Sequence, residues 1–157
     1  MKVIILTILL LSLFSCAFAQ EARKVDEFGE IICDEYLYRM EIITNESKDS
    51  NGKIYIIIYE GKLSKRINPF SDKIIKVYPQ RGLAKAQIKS MKEFLKVRDI
   101  QADKFVFIEG GFRETTYLEA WYVPNGAVPP KPTPTIKKMS YSSGKPKGYC
   151  VICCGEN

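Results

Sequence analysis

Histidine is absent from this chain of 157 residues. Its absence excludes Ser-His-Asp and Cys-His catalytic sets, and with them most zinc hydrolases, because those sites use imidazole as base or ligand. Phosphate-binding loops are missing too, since Gly110-Gly111 lacks the Walker or Rossmann spacing. The sequence therefore predicts no catalytic residues, no cofactor and no metal site, and it favours a non-catalytic protein over an enzyme.

Long apolar runs are missing as well, except between Val3 and Phe14. That run is shorter than the roughly 20 residues of a membrane helix, and a small-x-small cleavage signal follows it at Ala17-Phe18-Ala19. Residues 1–19 are predicted to be a signal peptide, and the mature chain to be secreted or periplasmic without a transmembrane segment. The alternative is lipoprotein processing, which would anchor the chain through a lipid on Cys16.

No acidic residue occurs between Glu119 and Glu156, and the formal net charge is +6. Basic residues dominate the stretch from Lys62 to Lys104 and the C-terminal segment. Such an excess attracts polyanions. For an exported protein the expected partners are peptidoglycan, another anionic envelope polymer or an envelope protein, and not nucleic acid. A lysine-rich surface that serves only solubility is the alternative.

Hydrophobic spacing predicts two amphipathic helices and several strands. The helices are expected at Glu35 to Ser47 and Leu83 to Arg98, and the strands at Ile54 to Tyr59, Phe105 to Ile108 and Thr115 to Val123. Ile54 to Tyr59 (IYIIIY) has no polar face, so it is predicted to lie centrally in its sheet. Residues 61–81 form a long excursion that is a candidate contact surface, with a short strand near Ile74 to Tyr78. Gly110-Gly111 is expected to form a tight turn or bulge that returns the last strand along the one before it.

The stretch from Ala84 to Phe105 resembles the second helix and following strand of OmpA-like C-terminal domains. The resemblance rests on Ala86, on Phe94-Leu95 near the helix end, on DIQADKF at Asp99 to Phe105, and on Leu118-Glu119-Ala120 in place of a V-E-I motif. The chain also resembles a group of secreted bacterial proteins with a D-E-F-G start. These resemblances imply an α/β fold of the α+β sandwich type, with the order β-α-β-α-β-β and two helices packed on one face of a mixed sheet.

The OmpA-like family binds the diaminopimelate part of peptidoglycan through an aspartate after the second strand and an arginine at the start of the last strand. This chain has Glu60-Gly61-Lys62 at the first place and Thr116-Tyr117 at the second. Because a hydroxyl cannot replace a bidentate guanidinium, the usual site is expected to be absent or rebuilt. Glu60 and Arg113 are the charges that could rebuild it. A surface ion pair, or two unrelated charges, is the alternative.

A proline-rich stretch, VPPKPTPT, begins at Val128 and separates the predicted domain, residues 20–124, from a cysteine-rich end. Its composition favours extended polyproline II, so residues 125–149 are predicted to be a linker and residues 150–157 a tail. The mature chain keeps Cys33, Cys150, Cys153 and Cys154 as disulfide candidates. Either Cys150 pairs with Cys153, or a tail cysteine reaches Cys33. The alternative function is a thiol-disulfide oxidoreductase or redox adaptor that uses the C-terminal C-x-x-C-C.

Overall fold

The computed structural model describes residues 21–48, 51–68 and 72–150. The predicted signal peptide, Cys16, Cys153 and Cys154 lie outside these residues. The elements are β1 Arg23–Phe28, α1 Cys33–Lys48, β2 Gly52–Arg66, β3 Ile74–Val77, α2 Leu83–Val97, a 3₁₀ turn Ala102–Lys104, β4 Phe105–Thr115 and β5 Tyr117–Pro124. The prediction of two helices packed with a sheet is confirmed. The short strand predicted near Ile74 to Tyr78 is present as β3, which adds one strand to the predicted order β-α-β-α-β-β.

The sheet is mixed and is organised around β2. Its main part has the order β1-β5-β2-β4, in which β5 is antiparallel to β2 and β4 is parallel to it. Beyond this part, β2 continues to Arg66 and pairs antiparallel with β3. The run from Ile54 to Tyr59 is therefore central, as its unbroken apolar character predicts.

Both helices cover the same face of the sheet. Ile54, Ile56 and Ile58 point from β2 into one core that also contains Met40 of α1 and Met91 of α2, all of them fully buried. Helix α1 contributes a stripe at helical spacing, with Asp34 and Glu35 in its first turn, where carboxylates favour the positive end of the helix dipole. Burial of these side chains away from water supplies the main driving force for the fold.

The sequence predicts that the last strand returns along the strand before it, and this prediction is wrong. Strands β4 and β5 flank β2 on opposite sides, so they do not pair with each other. The glycine pair makes a β-bulge inside β4: Ile58 pairs with Glu109, Tyr59 pairs with Gly111, and Gly110 between them has no room for a Cβ beside Tyr59.

The link between β4 and β5 crosses over β2 at Gly61. The backbone N–H of Thr116 donates to the carbonyl oxygen of Lys62 at 3.3 Å, and its hydroxyl donates to the carbonyl oxygen of Gly61 at 2.9 Å. A Cβ on Gly61 would overlap the carbonyl group of Thr115. Glycine is required here because two backbone segments touch.

The proline-rich segment and the residues after it lie against the domain. Thr135 and Ile136 both donate their backbone N–H to the carbonyl oxygen of Phe112 in β4. Farther along the chain, the backbone N–H of Ser142 donates to the carbonyl oxygen of Pro79, and the hydroxyl of Ser142 donates to the carbonyl oxygen of Tyr78. The composition indicated a spacer and did not anticipate these contacts, because they depend on surfaces that exist only in the folded sheet.

Candidate functional site

Glu60 lies on the helix side of the sheet and is 6% exposed. One carboxylate oxygen accepts the backbone N–H of Ala84 at 3.0 Å, and the other accepts the hydroxyl of Tyr141 at 2.8 Å. The residue before α2 is Gly82, which has no side chain to cap the helix, so Glu60 supplies the capping oxygen from β2. Burial, together with the bond to Glu60, raises the pKa of Tyr141 to about 12.

Arg113 lies on the opposite, outer face of the sheet. It donates to Glu119 at 3.0 Å and to the hydroxyl of Thr133 at 2.6 Å, and its guanidinium lies over the ring of Tyr59 at 3.7 Å. Glu119 is 6% exposed and also receives bonds from Tyr59 and Trp121 at 3.3 Å. Arg113 therefore neutralises a buried carboxylate and holds the proline-rich segment.

The structure does not bring Glu60 and Arg113 together. They point to opposite sides of the sheet, and each has internal partners that use its charge. A buried charge that is already paired is costly to pull away for a ligand. The rebuilt ligand site that the resemblance implied is not formed by these two residues.

Cys33, at the start of α1, forms a disulfide with Cys150, and their Cα atoms lie 5.8 Å apart. This confirms the expectation that a tail cysteine reaches Cys33. Beside it, the rings of Tyr36 and Tyr149 stack with centroids 4.3 Å apart. Both hydroxyls are buried without a hydrogen-bond partner among the described residues, and burial raises the pKa of both tyrosines.

The hairpin of residues 62–78 carries exposed apolar side chains together with several basic ones. The structure describes its residues 62–68 and 72–78, and we call this hairpin the arm. In the described part of the chain β3 pairs only with β2, so the arm extends beyond the main sheet. Its sequence contains five cations and one acid, Asp72. Four large apolar side chains on the arm are 41–59% exposed: Ile67, Ile74, Ile75 and Tyr78.

The base of the arm is fixed to the domain by Glu30. The backbone N–H of Ser64 donates to both carboxylate oxygens of Glu30, at 2.8 and 2.6 Å, and the Lys76 ammonium lies 3.8 Å from the same carboxylate. Lys76 also donates to the hydroxyl of Ser64 at 2.6 Å. These bonds hold the two strands of the arm in register and set its direction at the base.

A cleft of about 370 Å³ opens at the base of the arm. Leu63 of the arm forms one wall, and Gln87 of α2 with Tyr149 forms another. Lys145 and Lys147 of the C-terminal segment also line it, and both are exposed. The sequence pointed to the arm as a contact surface, but it gave no signal that residues more than 80 positions away would join it.

A larger cleft of about 600 Å³ lies between the C-terminal ends of the two helices. Its lining carries three cations, Lys48, Arg98 and Lys104, and two acids, Glu41 and Asp99, and the guanidinium of Arg98 lies 3.8 Å from the carboxylate of Glu41. The net charge of this lining is +1, against +4 for the sequence of the arm, so the cleft attracts an anionic ligand less strongly than the arm does.

Among the described residues no group of three potential metal ligands comes together, and no helix is long and apolar enough to cross a bilayer. Comparison of the chain with protein-family profiles, curated proteins and solved structures finds no match. The resemblance to OmpA-like domains therefore stays a prediction, and the case for function rests on the chain's own geometry.

Proposed function

We propose that this protein is an exported, non-catalytic domain that binds an anionic component of the cell envelope through the arm. Support for export comes from the leader sequence at residues 1–19. Support for a binding role comes from the arm, where cations and exposed apolar side chains occur together. Elsewhere on the sheet, the two buried carboxylates, Glu60 and Glu119, have structural partners.

The observation that carries the proposal is the charge of the arm. Lys65 and Arg66 have no ion-pair partner within the described residues, whereas Lys76 pairs with Glu30 at the base of the arm at 3.8 Å. Across the strand pair Lys65 lies opposite Ile75 and Arg66 opposite Ile74, so neither cation faces an acid directly. Uncompensated cations on a protruding hairpin are suited to an anionic partner.

The proposed contact surface lies at another place on the domain than the ligand site that the OmpA-like resemblance implied. The resemblance implied a ligand at the end of the central strand, near Glu60. Here that carboxylate caps α2, and β2 instead continues past Glu60 into the arm. We therefore assign the contact with the envelope to the arm.

The test is co-sedimentation with envelope fractions, using the mature chain and an arm-shortened variant. Replacing residues 65–75 by Asn-Gly joins Ser64 to Lys76 through a two-residue hairpin turn, which preserves the base of the arm. The deletion removes three cations and one acid, a net charge of +2. The matched control is Lys137→Gln with Lys138→Gln, which removes the same charge from the C-terminal segment.

We expect the arm-shortened variant to stay in the supernatant while wild type and the control sediment with the envelope. Folding of each variant is checked by circular dichroism and by the absence of a free Cys33 thiol. Equal sedimentation of the shortened variant and wild type would refute the proposal.

A further inference from the structure

We infer that the anionic component is a lipid bilayer, and that the arm lies in its headgroup region. This inference rests on the proposed function and names the partner of the same surface. It depends on where the arm's apolar and basic side chains lie relative to one another.

One face of the arm carries both kinds of side chain. In the antiparallel pair Lys65 lies opposite Ile75, and the backbone N–H of Ile67 donates to the carbonyl oxygen of Lys73 at 3.2 Å. Residues directly opposite share a face, and so do residues two apart along a strand. Two isoleucines and two lysines therefore interleave on this face.

This interleaving distinguishes a bilayer from a soluble polyanion. An acidic polymer attracts the ammonium groups but gains little from exposed isoleucine. At a bilayer surface the aliphatic side chains enter the acyl boundary, while lysines extend their charged ends to the phosphates.

The dimensions of the arm agree with such a position. Four paired positions, Leu63 to Arg66 against Ile74 to Val77, extend it by roughly 10 Å at about 3.3 Å per residue. A strand pair of this length presents several side chains of one face to a bilayer surface, into which interfacial segments bury their apolar face by about 5–10 Å. Leu63 shares the face of Lys65 and also lines the cleft at the base, so the face runs into the cleft that Lys145 and Lys147 line.

The experiment is vesicle co-sedimentation of the mature, oxidised protein. Vesicles of phosphatidylcholine alone are compared with vesicles that also contain phosphatidylglycerol, and soluble polygalacturonate is the non-lipid polyanion. We expect binding to the anionic vesicles that weakens as salt is raised, and much weaker binding to phosphatidylcholine alone.

Apolar contact is tested with Ile67→Ser combined with Ile75→Ser. Loss of this aliphatic surface is expected to weaken vesicle binding by about tenfold or more. Its matched control is Val97→Ser with Val128→Ser, because these side chains are 59% and 78% exposed, belong to other elements than the arm and line no part of the cleft at its base. The control should bind like wild type.

Charge is tested separately with Lys65→Gln combined with Lys73→Gln, the two lysines of this face. Each cation near an anionic surface contributes about a fivefold factor in affinity, so the pair is expected to weaken binding by about 25-fold. Lys137→Gln with Lys138→Gln is again the control. If the isoleucine variant fails to fold, the charge variant and the salt dependence still test whether the arm binds anionic vesicles.

Binding to polygalacturonate but not to anionic vesicles would overturn the inference and leave the proposed function standing. Binding to vesicles that the isoleucine substitutions do not alter would also overturn it. Failure to bind either probe, or any envelope fraction, would overturn both.

Discussion

The disulfide between Cys33 and Cys150 closes a loop across 117 positions of the chain. In the chain-entropy treatment, a loop of this size removes about 16 cal/mol/K from the unfolded state, which is about 4.9 kcal/mol at 25 °C. This value applies when the native contacts around the bond, such as the stacked rings of Tyr36 and Tyr149, are the same with and without it. We therefore expect its removal to lower the free energy of unfolding by about that amount.

The assay requires a background in which only one pair can form. Cys153→Ser with Cys154→Ser provides it, and Cys33→Ser with Cys150→Ser is then added. Unfolding in urea and by heat is followed through the fluorescence of Trp121, the single tryptophan. For a domain of this size, about 4 °C per kcal/mol converts the expected loss into a decrease in Tm of about 20 °C.

A loss below about 1 kcal/mol, with an unchanged denaturant slope, would refute this reasoning, because 4 to 5 kcal/mol is the scale for so long a loop. It would mean that the C-terminal segment unfolds independently of the sheet. Hydrogen exchange of the Ser142 amide, which donates to Pro79, would then show early opening of the segment in both variants.

Three further results are expected. Gly61→Ala should destabilise the protein by roughly 3 kcal/mol or more, because the new Cβ overlaps the β4–β5 link. Gly29→Ala is the control, since a Cβ there meets its nearest atom at 3.3 Å, and thermal unfolding measures the stability of both variants. The raised pKa values of Tyr36 and Tyr149 mean that their stabilisation is complete below pH about 10 and is lost as pH rises above it. The double Tyr→Phe variant should lose less stability between pH 10 and 11.5 in urea titrations, and an identical pH profile would contradict this. Glu60→Gln should cost about 1–2 kcal/mol through the weakened cap of α2, and an unchanged Tm would exclude a capping role.

Local periodicity revealed the helices and the central strand. Apolar side chains at helical spacing place both helices over the sheet, and IYIIIY has the composition of a strand buried on both faces. These features depend on neighbouring residues, so one sequence suffices to predict them.

Long-range features could not be predicted in the same way. Whether the last two strands pair with each other or flank β2 depends on the crossing at Gly61, which no local pattern reveals. Glu60 and Arg113 looked like neighbours because both lie near strand ends, yet the bulge at Gly110 and the register place them on opposite faces. The arm was recognisable from its composition, whereas the cleft beside it forms only when the distant C-terminal segment docks.

Strand β2 has three strand partners, and the chain lies across it once more between β4 and β5. Among the described residues β3 and β4 pair with β2 alone, so both would lose their ladders if β2 were withdrawn, whereas β5 would keep its ladder with β1. Without β2, the pair β1–β5 is the one ladder of the described sheet that remains. The arm is a continuation of β2, so an anchored arm would transmit a pulling force directly to the strand that has the most strand partners.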